Sequence, residues 1–490
     1  MNRTLDPAEP THVRYAMLGW FCSLSMITYI DRVCIMQVQG DIQRDLGISK
    51  AQFSFTFSAF ALAYALFEVP TGWLGDRIGP RKVLTRIVLC WLVFTALTGC
   101  VPAWQWDLGW TMMNLGFILL LIVRFLFGAG EAGAYPNMAR AARNWFPFQE
   151  RGRAQGLIWT FGRLGGSLAP VLVFALAMPF NYYFGTFAGW RGSFLMLGLI
   201  GVAWVVGFSL FYRDSPGEHP GVNPAERELI ETGAGATDKP APLSWRSVLT
   251  NRTLWMLSLM YFCSNSGWSF FITYVKTYLE EEVKLEGLTL ALVAGSPLFF
   301  GAFGCVLGGF LTDRQVRIWG RRYGRTLQGM VAYFVGAVFF LIAGLLPPST
   351  LTIALICLAS FVKDFAMGAS WSTTIDIGHR YSGTVAGIMN TIGNLGTVVT
   401  PPVVIGLVAL TGAESAKLFY YSAMFLIASA CWVFIDPRHV IVYSPADKQR
   451  LEEEGLLHRA EPAPAKPTQM IRCTGRGRKS WTSSSTSATA

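Results

Sequence analysis

Apolar runs of about twenty residues recur along the whole chain between short polar segments, and that length fits a bilayer-crossing helix. Twelve runs are read, over approximately residues 15–37, 53–74, 83–102, 113–136, 155–178, 193–212, 253–278, 289–311, 327–346, 351–376, 384–409 and 416–435. The pattern predicts an all-α integral membrane protein with twelve transmembrane helices in two six-helix halves, residues 1–212 and 252–436. Between them, 213–251 is rich in Pro and charge (Asp214, Pro216, Glu218, Pro220, Pro224) and reads as a cytoplasmic linker. Residues 437–490 carry Pro462, Pro464 and Pro467 before a Ser/Thr-rich end and read as a disordered tail.

The polar segments differ in charge. Arg77, Arg81, Lys82 and Arg86 fill one loop, Arg140, Arg143, Arg151 and Arg153 another, and Arg314, Arg317, Arg321, Arg322 and Arg325 a third. Alternate loops are poor in Lys and Arg, and the one after the seventh run is acidic, with Glu280, Glu281, Glu282 and Glu286. Basic loops stay on the cytoplasmic side, so both termini are expected in the cytoplasm.

Composition agrees: 52% of residues are hydrophobic and 14% charged, where a soluble domain carries about a quarter charged. The net charge of +10 sits in the basic loops and is explained by topology, so nucleic acid is not an expected partner. The nine cysteines form no CxxC pair and the five histidines lie in loops or tails, so no disulfide framework, metal site or cofactor is expected. No G-x-x-x-x-G-K-[ST] occurs, which argues against ATP-driven chemistry.

Charges inside the apolar runs change the picture most. Arg124 and Glu131 lie in the fourth run, seven residues and about 10 Å apart on one helix face. Asp31 and Arg32 lie deep in the first. Each costs roughly 3 kcal/mol to insert, so such residues are usually functional. A guanidinium offers a planar fork to an anion, which makes Arg32 and Arg124 the anion-binding candidates. Asp31 and Glu131 are the proton-carrier candidates, because burial and a nearby Arg pull a carboxyl in opposite directions. The alternative is that the two arginines permanently neutralise the two acids. Arg163 is a further intramembrane cation, read as a second anion contact or as packing against helix ends. Asn265, Asp376, Asn390 and Asn394 are polar positions of the second half suited to hydroxyl recognition, or to simple interhelical hydrogen bonding. Lys363 and Asp364 read as self-neutralising, and Glu68 and Lys276 as snorkelling near helix ends.

The halves repeat. Gly156, Thr160, Gly162, Leu164, Gly165 and Pro170 align without gaps on Gly387, Thr391, Gly393, Leu395, Gly396 and Pro401, all offset by 231. Gly75-Asp76-Arg77 answers Thr312-Asp313-Arg314. A parallel duplication of this kind places a substrate site near the midplane between the halves.

Gly72-Trp-Leu-Gly-Asp76-Arg77-Ile-Gly79-Pro-Arg81-Lys82 resembles the loop motif of major facilitator superfamily transporters, with Pro80 where a basic residue is usual. Tyr29-Ile-Asp31-Arg32, the segment Arg124 to Asn137 and Trp145-Phe-Pro147-x-x-Glu150-Arg151-Gly152-x-Ala154 resemble the anion:cation symporter branch, which includes bacterial galactonate, glucarate and hexuronate carriers. The resemblance implies a bacterial inner-membrane carrier, a monomer in contact with lipid, that imports an organic anion with protons by alternating access. It implies that Asp31 and Glu131 are protonated during transport, that Tyr64 faces the cavity, and that Asp76, Arg77, Arg81, Asp313 and Arg314 form a cytoplasmic gate. A sugar acid is the leading substrate class and an aromatic or small dicarboxylate anion the runner-up. Anion exchange, sodium coupling and a non-transporting membrane sensor are the rival readings; an enzyme is not expected.

Overall fold

The computed structural model describes residues 9–107, 112–185, 188–234 and 243–441. The first half contains α1 (Val13–Gln37), α2 (Gln39–Leu46), α3 (Lys50–Ile78), α4 (Pro80–Gly99), α5 (Leu115–Glu131), α6 (Ala134–Trp145), α7 (Arg151–Phe184) and α8 (Ala188–Phe211). Two short helices follow, α9 (Pro224–Ala234) and α10 (Trp245–Leu249). The second half contains α11 (Arg252–Ser269), α12 (Val275–Glu281), α13 (Gly287–Leu345), α14 (Thr350–Phe365), α15 (Met367–Gly378), α16 (Ser382–Thr411) and α17 (Ala416–Phe434). One short antiparallel hairpin, β1 (Gln105–Asp107) with β2 (Met112–Asn114), pairs Trp106 with Met113 outside the helical bundle.

By length and apolarity, nine helical stretches among the described residues suffice to cross a membrane. Two of the nine, at 54 and 62 residues, are long enough to cross more than once. The 59-residue α13 breaks at Gly320, whose φ of 74° is left-handed, and 350–411 breaks between α15 and α16. The more polar α11 continues through a π turn at Phe270–Tyr274 into α12. Cut at those points and with α11–α12 added, the described residues can be divided into twelve rods.

Several boundaries depart from the hydropathy pattern for local reasons. The fourth run divides into α5 and α6 because Gly133 takes φ 85°, a conformation that glycine adopts at little cost. A further side chain there would also strike Thr71 at 2.6 Å. The stretch 213–251 is more than a linker: Glu226 of α9 is fully buried, pairs with Arg14 at 2.9 Å and accepts the Val13 and Arg14 backbone N–H groups at 3.2 Å. It thus caps the start of α1, where an acid also meets the favourable end of the helix dipole. Residues 235–242 of that stretch, and 442–490 of the tail, lie outside the described residues.

The internal repeat is visible in packing. A Cβ on Gly165 of α7 would sit 2.4 Å from the Met26 carbonyl oxygen of α1, and one on Gly396 of α16 would sit 2.2 Å from that of Phe262 in α11. Gly156 packs against Gly309 of α13, and Gly387 against Glu68 and Val69 of α3. The glycines offset by 231 therefore permit equivalent close crossings in the two halves.

Candidate functional site

Where the halves meet, a small cleft of ≈ 50 Å³ is lined by Arg32, Tyr64, Arg163, Asn265, Asn390 and Asn394, with aromatic walls from Tyr29, Tyr135, Trp159, Tyr261 and Trp268. Each polar group arrives on a different rod, save two that share one. Arg32 comes from α1, Tyr64 from α3, Arg163 from α7, Asn265 from α11, and Asn390 and Asn394 from successive turns of α16. Six of the eight expected substrate-binding residues are thus brought together.

Arg32 is the more exposed of the two expected anion binders, with 27% of its side chain accessible. Its guanidinium pairs with Glu131 (Nε to Oε1, 3.2 Å) and lies 4.9 Å from the Tyr64 ring centre, 5.5 Å from Phe60 and 5.6 Å from Tyr29. Such aromatic surroundings hold a cation without neutralising it. The fork reaches the cleft while its inner side holds a buried acid.

Arg124 lies elsewhere. It is 1% exposed, behind Arg32, with its guanidinium 4.5 Å from Phe127 and 5.3 Å from Phe60, and it does not line the cleft. Its Nε has no hydrogen-bond partner among the described residues. Of the two expected anion binders, Arg32 lines the cleft in this arrangement and Arg124 does not. The amino-acid order does not separate the two, because helix face and depth depend on the break at Gly133 and on how α1 crosses α5.

Asp31 and Glu131 are 2% and 1% exposed. Asp31 accepts from Thr95 Oγ1 at 3.3 Å, while its Oδ1 and Glu131 Oε2 have no partner among the described residues. All the partners of this pair come from the first half.

Arg163 binds both oxygens of Asp364 in α14, at 2.9 and 3.1 Å, donates to the Tyr29 hydroxyl at 2.9 Å, and stacks 3.8 Å from Trp268. Lys363 donates to the same carboxylate at 2.8 Å and lies 4.5 Å from the same indole. Lys363 and Asp364 are thus not a self-contained pair: Asp364 ties the second half to the first.

Two expectations are corrected. Asp376 does not face the cleft: it is 4% exposed at the basic end, where it binds Arg325 at 2.7 Å and Arg151 at 3.1 Å. Asp376 is the last residue of its apolar run, 351–376, and so stands at the end of the continuous α14–α15 rod and not at the depth of the cleft. Glu68 does not snorkel at a helix end. It is fully buried and accepts from Asn390 Nδ2, from Asn394 Nδ2 at 3.4 Å and from Thr391 Oγ1 at 3.5 Å, all on α16. The side chain of Lys276 lies outside the described residues.

At the basic end, Asp76 accepts the backbone N–H groups of Gly383 (2.9 Å) and Thr384 (2.6 Å) at the start of α16, and Arg140 lies at 3.3 Å. Asp313 accepts those of Gly152 and Arg153, both at 2.8 Å, at the start of α7. Each repeat thus caps a helix of the other half. Arg77 and Arg314 are exposed, and Arg81 turns to Ser209 and Asp214 of its own half, so these three do not bridge the halves here. Asp214 lies outside the apolar runs; burial raises its carboxyl above the ordinary value despite the Arg81 N–H. Bridging cations missed in the sequence include Arg151, paired with Asp376 across the halves, and Arg143, 3.3 Å from the His379 ring.

A family model described as Major Facilitator Superfamily matches residues 21–401. The chain belongs to this superfamily. It is a transporter by family and not an enzyme. It is 33% identical over 447 residues to a Cupriavidus necator protein named "Probable sulfoacetate transporter", covering 89% of this chain and 96% of that one. It is 29% identical over 450 residues to an Escherichia coli K12 protein named "Probable galactarate/D-glucarate transporter", covering 88% and 96%. Among solved structures, the superfamily transporter FucP in the outward conformation matches with a TM-score of 0.64 at 14% identity, over 87% of this chain and 100% of that one. This last likeness concerns the fold.

Proposed function

We propose that the protein imports an organic anion together with protons across the bacterial inner membrane by rocking of its two halves. The observation that carries this reading is the position of Arg32, one side on the cleft and the other on buried Glu131. An incoming carboxylate or sulfonate competes with Glu131 for the same fork. Once Glu131 loses its cation it is an uncompensated buried charge, which is costly, and binding a proton removes that cost. Anion entry and proton entry are linked by one shared guanidinium. Asp31 supplies a second buried acid beside Arg124 in the same half.

The cleft's ≈ 50 Å³ holds a few waters at about 10–15 Å³ of such space each, so a larger substrate enters when the halves part. With the basic end in the cytoplasm, the caps at Asp76 and Asp313 and the Arg151–Asp376 pair hold that side shut, and the next movement opens it. Arg77, Arg81 and Arg314 serve the gate by orientation or in the opened state.

A hexarate, hexonate or hexuronate fits the asparagines of the second half, which can bind hydroxyls. A small dianion is the second reading: it is favoured by the second cation, Arg163, on the cleft and by the relative named for sulfoacetate. A panel of galactarate, galactonate, glucuronate, sulfoacetate and phthalate, added to the purified protein in a thermal-shift assay, tests the class. At least one should raise the melting temperature in proportion to the logarithm of its concentration above Kd. Stabilisation by none of the organic anions would overturn the reading.

A further inference from the structure

Glu68 is a buried acid whose surroundings depend on how the halves are arranged. Its carboxyl is fully buried; Asn390, Thr391 and Asn394 of α16 in the opposite half donate to it, and Tyr64 one turn earlier on its own helix is a further donor. No cation lies within 4 Å of it among the described residues. Of the other acids tied across the halves, Asp364 keeps Lys363, Asp376 keeps Arg325 and Asp76 keeps Arg140; Asp313 also takes its donors from the other half but keeps Arg325 of its own half beside it. From α1 the charged group facing Glu68 is Arg32, already engaged by Glu131 of α5; from its own helix it is Tyr64; α16 presents only amides and a hydroxyl. Eight residues, about 12 Å along α3, separate it from the cap at Asp76. Glu68 thus lies behind the cleft lining, bonded to the lining residues Asn390 and Asn394.

A coupling group needs a proton affinity that changes between the two states. Asp31 and Glu131 keep the same neighbours when rigid halves rock, and change only through substrate and water. Glu68 loses all its α16 partners at once and meets water instead. A dry carboxyl without a counter-cation is accommodated as the neutral acid, and a hydrated one as the anion. We propose that Glu68 carries a further proton through the transport cycle, bound while α3 and α16 are closed and released to water on the basic side when they part. The O–H bond of the acid breaks there, the proton passes to water, and the carboxylate remains until the halves close again. This rests on the proton-coupled reading above and adds a third site to it.

The test is the reversal potential of substrate flux in proteoliposomes, which gives protons moved per anion. Glu68→Gln, an isosteric copy of the neutral acid, should move one proton fewer per anion than the wild type, and Glu68→Asp should keep the wild-type ratio. An unchanged ratio in Glu68→Gln overturns the inference and leaves the parent reading intact. A wild type that moves no protons overturns both. A merely structural role for Glu68 would lower the amount of active protein without moving the ratio. If Glu68→Gln does not fold, infrared spectra of the wild type and Glu68→Asp replace it. A protonated-carboxyl band that shifts on Glu68→Asp supports the inference, and a band that does not move contradicts it.

Discussion

Arg163 and Asp364 join the two halves at the wall of the cleft by two parallel hydrogen bonds, 2.9 and 3.1 Å long, with both side chains almost fully buried. Removing one partner of such a pair leaves an uncompensated charge and costs about 3–5 kcal/mol, whereas replacing both by apolar groups is often neutral. Asp364→Asn should therefore lower the melting temperature and abolish uptake. The double variant Arg163→Leu with Asp364→Leu should regain most of the stability without regaining uptake. A melting temperature for Asp364→Asn equal to the wild type would show that the pair does not hold the halves together.

Asp76 and Asp313 cap helices of opposite halves, so weakening either should favour opening at the basic end. Loss of a cap costs about 0.5–2 kcal/mol, a shift of roughly 2- to 30-fold in a two-state equilibrium. Ser382 is fully buried at the start of α16. In a cysteine-free background, a cysteine there should react with maleimide several-fold faster in Asp313→Asn than in the parent. Equal rates would remove the gate reading.

Arg32 and Arg124 should respond differently to lysine. Arg32→Lys keeps the charge and loses the fork, so substrate affinity should fall by about ten- to a hundredfold, the value of one or two charge-assisted bonds. Arg124→Lys should change affinity by less than about threefold, because that side chain stands behind Phe60 and Phe127 and off the cleft. Isothermal titration of both variants separates them, and a larger loss in Arg124→Lys would exchange the roles of the two arginines.

Topology has its own check. Glu281, exposed at the end of α12, should be labelled as a cysteine by an impermeant reagent on intact cells, and Leu229 of α9, 39% exposed, should be labelled only in opened cells. The opposite pattern would invert the direction of transport.

Much of this site is legible in the amino-acid order because charge is so expensive in a bilayer: Asp31, Arg32, Arg124, Glu131 and Arg163 stand out from their apolar neighbours by type alone. The offset of 231 between glycines foretells equivalent crossings, and the structure has them at Gly165 and Gly396. Rotation and depth are harder to read. A single left-handed glycine at 133 redirects the chain after α5, and Asp376, at the end of its run, pairs with Arg151 and Arg325 at the basic end and not with the cleft. Glu68 escapes the pattern because its α16 partners are neutral groups more than three hundred residues away, which no local spacing reveals. The aromatic lining is within reach of the sequence, since Tyr29 and Trp159 lie inside the motifs that carry Arg32 and the repeat.

Proton coupling through the first-half acids is the central claim, and its most direct test is accumulation of the anion identified by thermal shift in proteoliposomes with an imposed proton gradient, beside counterflow without one. Wild-type protein should accumulate the anion many-fold when the outside is acid. Glu131→Gln imitates the protonated acid, so it should lose that accumulation and keep counterflow, and Asp31→Asn should share the defect. Full gradient-driven accumulation by both variants would contradict the account and leave exchange or sodium coupling in its place.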